Sequence, residues 1–386
     1  MASQSKSTTS TLLSNEEIRS TLVAARSIVI KIGSGSLTKN TSLPAEIAMQ
    51  CARLRQEGRA VVLVSSGAVA LGAKRLGYAE RPTEREKLQA AASVGQSELM
   101  WRYDQAFQEV GMITAQVLLN HTDLSNRKRL NNARAALKAL TDAGAVPIVN
   151  ENDAVSTDEL SFSDNDHLSA MVTPLVDADA LLLLTNVDGV LDANQQRIPI
   201  LRHPEEFIDQ GSDSSWGTGG MRSKLSAAKK ARRAGATVVV AGAFIPQIIT
   251  KVFEGQDVGT CFPPLDNILR ARHHWIAYTL KPRGTLFIDA GAERALCEDG
   301  GSLLPVGVHG LRGEFRRGDA VRIVGPDREE IGRGLCRMTT LEVARSAGRN
   351  QQQLAELPEA GTEEVVVHRD DMVIWPDAAR KQADPA

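Results

Sequence analysis

The 386-residue chain has few aromatic residues, few cysteines and almost no net charge. Phe, Trp and Tyr make up 4% of it, so a wide surface that stacks nucleic-acid bases would have few rings to use. Lys and Arg number 45 against 47 Asp and Glu, and a formal charge of -2 gives no overall attraction to nucleic acid or an anionic membrane. With 42% hydrophobic and 24% charged residues, the composition is that of an ordinary globular protein.

The four cysteines, Cys51, Cys261, Cys297 and Cys336, are far apart and form no CxxC pair. This spacing indicates neither a disulfide framework nor a zinc site, and it suits a reducing compartment. The N-terminal residues lack the hydrophobic segment of a secretory signal, and no apolar run approaches the ~20 residues of a membrane-spanning helix. We therefore expect a cytoplasmic protein of enzyme size, without a membrane anchor. Its N-terminal residues are expected to form a Ser/Thr-rich tail.

Six short apolar runs alternate with longer helical segments in the first two thirds of the chain. Their hydrophobicity is continuous, which is typical of strands buried on both faces of a parallel sheet. The runs cover residues 27–32, 60–65, 113–119, 145–150, 180–185 and 236–241. Helical segments between them include residues 43–56, 126–142 and 221–234. Strand and helix repeated in this way predict an α/β fold, with helices on both sides of a mainly parallel sheet.

The pattern changes after Phe262. A helical stretch over residues 266–278 leads into a linker, and beyond Gly284 the segments become short, glycine-punctuated and β-like. Such segments predict a small barrel-like β domain. The predicted division is a tail over 1–22, an α/β domain over 23–264, a linker over 265–283, a β domain over 284–368 and a frayed tail over 369–386.

The first apolar run ends in a glycine-rich turn, KIGSGS over residues 31–36. Glycines after a strand let backbone N–H groups approach a phosphate closely. The spacing fits neither standard glycine-rich nucleotide motif, so a plain surface turn is the alternative. Lys31 favours the functional interpretation, because an ammonium group inside an apolar strand is costly unless an anion meets it.

Polar residues also follow the second and fourth runs. Ser66 and Gly67 lead from the second run into a helix, where a Ser that only caps the helix is the simpler interpretation. The fourth run leads into NEND (150–153), and SDND (163–166) precedes the next helix. Asn and Asp in loops usually form turns and caps. A carboxylate cluster at a strand end repels itself unless cations lie among it, so we expect a site there.

Two further glycine-containing turns are candidates for a nucleotide site. Thr185 and Asn186 end the fifth run, before a Val-Asp-Gly turn that is structurally sufficient by itself. The second turn, GTGG over 217–220, precedes a helix that carries Lys224 in its first turns. The helix dipole favours an anion at that end, so a lysine there indicates that an anion is normally bound.

In their order along the chain, these motifs resemble those of the glutamate 5-kinases of the amino acid kinase superfamily. The stretches are VIKIGSGSLT, VVLVSSGAVALG, NENDAVST, DNDHLSA, LLLLTNVDGV and GTGGMRSKLSAA. GSLLPVGV, FRRGDAVRI and IGRGLCR are similar to the PUA domain that many of these enzymes carry. The resemblance covers about residues 27–343 and implies a three-layer α/β/α amino acid kinase fold, followed by a small β-barrel-like PUA domain.

The resemblance implies transfer of the ATP γ-phosphoryl group to the side-chain carboxylate of L-glutamate, which gives L-glutamyl 5-phosphate in the first step of proline biosynthesis. It also implies Mg2+ as a cofactor, feedback inhibition by proline, and assembly into a homodimer or homotetramer. The chemistry needs no general base, because a carboxylate with a pKa of ~4.3 is already ionised at pH 7.

The resemblance further implies roles for individual residues. Lys31 and Lys224 would flank the transferring phosphoryl group, with Asp166 orienting both lysines. Ser66, Asp153 and Asn165 would bind glutamate, with Asp153 a partner for its α-ammonium group. The ATP site would be lined by Lys31, Thr185, Asn186, Thr218, Gly219, Gly220, Met221, Arg222, Ser223 and Lys224. Magnesium would bridge phosphate oxygens with few direct protein ligands.

Two positions depart from the family pattern, and two other functions stay open. Ser163 stands where a glycine is usual, and Asn186 stands where an aspartate is common, which puts one nucleotide contact in doubt. A kinase of the same superfamily with another small acceptor would keep both lysines and differ at the glutamate-binding residues. An RNA-binding protein on a degenerate kinase scaffold would use the C-terminal domain. That domain has ten Arg and ten Asp or Glu between Gly284 and Asn350, so its composition does not indicate the basic surface that RNA binding needs.

Overall fold

The computed structural model describes residues 14–155, 165–204, 207, 220–265, 268–355 and 364–375. The chain divides into two compact units, Met1–Ile268 and Leu269–Ala386. Within the described ranges, every helix is too short or too polar to span a lipid bilayer.

The first unit is built on a sheet of seven strands in its described part. They are β1 (Ser27–Ile32), β2 (Ala60–Ser65), β3 (Thr114–Leu119), β4 (Val146–Glu151), β5 (Ala180–Thr185), β6 (Thr237–Gly242) and β7 (Thr260–Phe262). The spatial order is β3-β4-β2-β1-β5-β6-β7, with all neighbours parallel except the antiparallel β6–β7 pair. The predicted mainly parallel α/β sheet is therefore confirmed.

Ten helices of the described chain flank this sheet or connect its strands. They are α1 (Asn15–Ala24), α2 (Ser34–Lys39), α3 (Leu43–Gln56), α4 (Ala68–Arg75), α5 (Arg85–Gln108), α6 (His121–Ser125), α7 (Arg127–Asp142), α8 (Asn165–Leu175), α9 (Gly220–Arg233) and α10 (Ile248–Phe253). Alternate residues of β1, such as Ile28 and Ile30, join Ile47 of α3 and Phe107 of α5 in one hydrophobic core. Burial of these apolar side chains is the main stabilising contribution.

The central position of β1 determines where the polar residues meet. β1 pairs with β2 on one side and β5 on the other, and its register places Lys31 beside Val64 and Leu183. In parallel strands the carboxyl ends lie at the same edge of the sheet, where ligands bind in open α/β folds. The turns after β1, β2, β4 and β5 therefore converge at one edge.

Helices α4 and α5 cross at a pair of glycines, Gly72 and Gly95. A Cβ atom on Gly95 would lie 1.7 Å from the backbone oxygen of Ala68, and one on Gly72 would lie 1.8 Å from that of Ala91. Only residues without side chains allow two backbones to approach so closely. The crossing holds the middle of α5 against the first turn of α4, directly after the Ser66-Gly67 turn.

The second unit contains a separate mixed sheet. It begins with α11 (Ala271–His274) and a short π-helix (Trp275–Thr279), which ends one residue after the stretch predicted to be helical. Its strands are β8 (Gly284–Ile288), β9 (Val308–Gly313), β10 (Ala320–Val324), β11 (Glu330–Cys336) and β12 (Val367–Ile374). Their order is β12-β11-β10-β8-β9, and its helices are α12 (Ala290–Cys297), α13 (Thr340–Ser346) and α14 (Gln351–Ala355). The predicted small β domain is confirmed.

Two elements lie outside the predicted domain bounds. Helix α1 begins within the predicted tail, because Ser14 and Glu17 form a reciprocal capping box and Ile18 and Leu22 are buried. Strand β12 continues past residue 368 to Ile374, because this segment pairs with β11. The other predicted bounds stay a prediction.

We predict that Gly95→Ala lowers the free energy of unfolding by about 1–3 kcal/mol, because the new methyl group overlaps the backbone of α4. Urea denaturation of the full chain followed by circular dichroism measures the change. Ser97→Ala, at an exposed position of the same helix, is the matched control and stays within about 0.5 kcal/mol of the wild type. Equal stability of the Gly95→Ala variant and the wild type would contradict the close crossing.

Candidate active site

Three buried charged side chains meet at the carboxyl edge of the first sheet. Lys31 is the penultimate residue of β1, Asp166 lies in the first turn of α8, and Lys224 lies in the second turn of α9. Their exposed fractions are 5%, 1% and 8%, respectively. Lys31 Nζ lies 2.6 Å from Asp166 Oδ1, and Lys224 Nζ donates to Asp166 Oδ2 at 2.9 Å. Three distant segments thus bring together the residues predicted to be catalytic.

This cluster carries two positive charges and one negative charge. Burying an ammonium group without a matching anion is costly, so the surplus charge favours a bound anion. Lys224 Nζ also donates to the carbonyl of Gly220 at 3.1 Å. The contact between Lys31 and Oδ1 is close but lacks hydrogen-bond geometry. The Lys31 ammonium group therefore has N–H groups left to donate to an incoming anion.

Two glycine-containing turns face each other beside the cluster. A Cβ atom on Gly33 would lie 3.9 Å from Lys31 Nζ, so this turn passes close to the ammonium group. Gly67, which caps α4, has a φ of 114°, a conformation that favours glycine. A Cβ atom on Gly67 would lie 3.7 Å from Cα of Ser34. Because both turns contain glycine, their backbone is not covered by side chains and can be approached by a ligand next to the positive charges.

Asn165 links the strand ends through hydrogen bonds from its side-chain amide. Asn165 Nδ2 lies 2.7 Å from the carbonyl oxygen of Ser65, 2.9 Å from Ser66 Oγ and 2.8 Å from Asn150 Oδ1. Ser66 and Asn165, both predicted to bind substrate, are therefore in direct contact. Asn165 also precedes Asp166, so this polar group adjoins the charged cluster.

Asp153 lies in the turn after β4 and is partly buried. Burial raises the pKa of its carboxyl group, and the positive charge of Arg81 offsets part of that rise. Within the described chain, Asp153 has no ion-pair partner within 4 Å. A partly buried carboxylate in this state would be stabilised by a cationic ligand.

The described residues among those predicted to bind ATP lie around the same edge. Thr185 ends β5, and Asn186 contacts the first turn, since Ser36 Oγ donates to Asn186 Oδ1 at 3.3 Å. Gly220, Met221, Arg222 and Ser223 form the start of α9 next to Lys224. Thr218, Gly219 and the departure at Ser163 lie outside the described residues. The individual roles of these residues stay predictions.

Sequence reasoning missed one residue that reaches this polar group. Gln96 of α5 accepts a hydrogen bond from Asn150 Nδ2 through Oε1 at 2.8 Å. It lies among the buried residues Ala92, Gly95 and Leu99 of its helix. A polar side chain in line with the buried positions of a helix indicates a buried partner, but nothing in the sequence identifies that partner as Asn150.

The geometry agrees with comparisons to known proteins. Residues 26–242 match the amino acid kinase family, and residues 284–357 match the PUA domain. Among solved structures, N-acetylglutamate synthase from Neisseria gonorrhoeae covers 64% of this chain and 62% of its own, with a TM-score of 0.50 and 16% identity. Carbamate kinase from Giardia lamblia covers 63% and 100%, with a TM-score of 0.47 and 15% identity. The former likeness shows the fold alone.

Curated relatives match over nearly the whole chain. The glutamate 5-kinase of Trichlorobacter lovleyi is 45% identical over 370 residues, which cover 92% of this chain and 98% of that protein. The glutamate 5-kinase of Geobacter sulfurreducens is 43% identical with the same coverage. That of Pseudomonas putida is 42% identical and covered completely. The chain belongs to the amino acid kinase family, among the glutamate 5-kinases, with a PUA domain after its kinase domain.

Proposed function

We propose that this chain transfers the γ-phosphoryl group of ATP to the side-chain carboxylate of L-glutamate, forming L-glutamyl 5-phosphate in the first step of proline biosynthesis. The buried cluster of Lys31, Asp166 and Lys224, with its surplus positive charge, is the observation that carries this proposal. The activity named for its relatives supports glutamate as the acceptor. The intact cluster argues against a degenerate scaffold that only binds RNA.

The main obstacle to this reaction is bringing one anion onto another. A carboxylate oxygen of glutamate attacks the γ-phosphorus, and the bond to the β-phosphate oxygen breaks to release ADP. The two lysines offset the charge that gathers around the transferring group, and Asp166 holds both of them in place beforehand. Groups fixed in this way need no reorganisation during the reaction, so positioning and electrostatics account for most of the acceleration.

The polar residues at the ends of β2 and β4 suit the amino acid end of the acceptor. Ser66 and Asn165 lie next to the charged cluster, and Asp153 supplies a carboxylate for an α-ammonium group. Asp153 therefore recognises the one positive charge of glutamate, while the lysines receive its reacting carboxylate.

The nucleotide would lie along Thr185, Asn186 and residues 218–224, with its phosphates directed at Lys31 and Lys224. Mg2+ would offset negative charge on the phosphates. Both oxygens of Asp166 already face ammonium groups. This arrangement fits a cation held chiefly by phosphate oxygens and water, as Mg2+ often is in phosphoryl-transfer sites. Proline inhibition, homo-oligomer assembly and a cytoplasmic location complete the proposal by resemblance to the family.

A trapping reaction tests the proposed activity directly. Incubation with ATP, magnesium, L-glutamate and hydroxylamine yields γ-glutamyl hydroxamate, because hydroxylamine captures the acyl phosphate. We expect hydroxamate with L-glutamate and none with N-acetylglutamate or aspartate. Folded protein that binds ATP but forms no hydroxamate from glutamate would favour another small acceptor.

We predict that Lys31→Ala and Lys224→Ala each lower kcat by ~10²–10³, because each removes one preorganised positive charge from the transition state. Initial rates at saturating ATP and glutamate measure the loss. Lys74→Ala, at an exposed position of α4, serves as the control and keeps wild-type turnover. Wild-type kcat in either folded active-site variant would remove that lysine from the mechanism.

The raised pKa of Asp153 predicts a pH dependence of glutamate binding. Its carboxylate is charged above that pKa and neutral below it, so acidification weakens the ion pair with the α-ammonium group. We therefore expect KM for glutamate to rise as pH falls, starting above the ~3.9 of an ordinary aspartate. KM measured between pH 8 and about 5, where glutamate itself stays ionised, tests this.

Asp153→Asn should have a higher KM for glutamate at neutral pH, and its KM should respond less to acidification than that of the wild type. Identical pH profiles of KM for the two proteins would show that Asp153 does not meet the ammonium group.

A further inference from the structure

Three amide side chains form a hydrogen-bonded row from α5 to the first turn of α8. Asn165 Nδ2 lies 2.7 Å from the carbonyl oxygen of Ser65 and 2.8 Å from Asn150 Oδ1. Asn150 Nδ2 lies 2.8 Å from Gln96 Oε1. We call Gln96, Asn150 and Asn165 the amide relay. Asn150 and Asn165 are buried, so water has little access to their hydrogen bonds.

The chemistry of the groups fixes the direction of every bond in the relay. The backbone carbonyl of Ser65 can only accept, so the Asn165 atom that faces it must be the amide nitrogen. The Asn150 atom beside that nitrogen must then be an oxygen, which turns Asn150 Nδ2 toward Gln96. Gln96 consequently has to present its oxygen. The polarity follows from a fixed backbone group and continues through three side chains.

This polarity decides what Asn165 offers to a substrate. With Nδ2 committed to Ser65, Ser66 and Asn150, its Oδ1 is the group left over, and it has no hydrogen-bond partner in the part of the chain that the structure describes. An amide oxygen only accepts hydrogen bonds. It therefore matches a donor, and the α-ammonium group is the donor that a free amino acid carries.

Gln96 closes the relay at its far end. Without an acceptor there, Asn150 Nδ2 would be a buried donor without a partner, which destabilises the arrangement. A rotation of the Asn150 amide would remove that penalty but would place its nitrogen against Asn165 Nδ2. Either outcome weakens the bond between Asn150 and Asn165, whose amide is then held only by Ser65 and Ser66, so its oxygen is positioned less firmly toward the substrate.

We propose that Gln96 is a positioning residue that, through Asn150, holds the Asn165 oxygen toward the ammonium group of the acceptor and so favours a substrate with a free amino group. This inference rests on the proposed function. Gln96 acts from α5, whose close crossing with α4 keeps it within reach of Asn150. It does not contact the reacting atoms.

Two substitutions of similar size separate this role from simple packing. Gln96→Met fills the same space but cannot accept a hydrogen bond from Asn150 at normal strength. Gln96→Glu keeps an acceptor oxygen and replaces Gln96 Nε2, a buried donor that has no partner among the described residues. If Gln96 only filled space, Met would be tolerated and Glu would be harmful; the relay predicts the opposite order.

The experiment measures steady-state kinetics by hydroxamate formation in the full chain. We expect Gln96→Met to raise KM for glutamate ~10-fold, the effect of one lost hydrogen bond of ordinary strength, with kcat and KM for ATP little changed. Gln96→Glu should recover most of the wild-type KM. Gln105→Met, the same change at an exposed position of α5, is the matched control and should behave as the wild type.

Glutarate, which lacks the α-ammonium group, provides a second readout as a competitive inhibitor against glutamate. Its inhibition constant should be the same for wild type and Gln96→Met, because the displaced oxygen has no donor to lose. An equal loss of affinity for glutarate and glutamate would overturn the inference, as would wild-type KM in Gln96→Met or a failing Gln96→Glu. If the wild type forms no hydroxamate, the proposed function fails and the inference fails with it.

Discussion

One carboxylate between two ammonium groups is the interaction on which the site depends. Asp166 faces Lys31 on one oxygen and Lys224 on the other, and all three side chains are buried. Each comes from a different segment, so the contact exists only once β1, α8 and α9 are packed together. Two buried ammonium groups without a carboxylate between them would repel each other. The aspartate keeps both positive charges in place and leaves one in excess for phosphate.

The second constraint is that buried polar groups must find partners. The Ser65 carbonyl, Asn150 and Asn165 lie beneath the charged cluster, and Gln96 completes their hydrogen bonds from a separate helix. Backbone contact at Gly72 and Gly95 brings that helix close enough. A backbone packing contact therefore supports the polar group that includes Asn165. A change that forces α4 and α5 apart at these glycines would therefore also move Gln96 away from Asn150.

The strands were predictable because a parallel sheet buried on both faces requires continuous apolar runs. The runs over 27–32, 60–65 and 180–185 coincide with β1, β2 and β5, and the others begin one residue later in the structure. Lys31 was conspicuous because it interrupts such a run. Gln96 was not, since its partner is 54 residues away in sequence and only tertiary packing brings them together. Helix α1 was missed because its capping box follows a Ser/Thr-rich segment of low hydrophobicity.

The site has positive charge at one end and negative or hydrogen-bond-accepting groups at the other, which suits an acceptor that carries both a carboxylate and an ammonium group. Positive charge gathers at Lys31 and Lys224, while the turn after β4 contributes the Asp153 carboxylate and the start of α8 contributes the Asn165 amide oxygen. In the proposed complex, glutamate would satisfy both ends in only one direction, with its side-chain carboxylate at the lysines and its ammonium group at the relay. The reversed molecule would bring its ammonium group against two others. In the proposed reaction, this asymmetry would also select which of the two carboxylates of glutamate reacts.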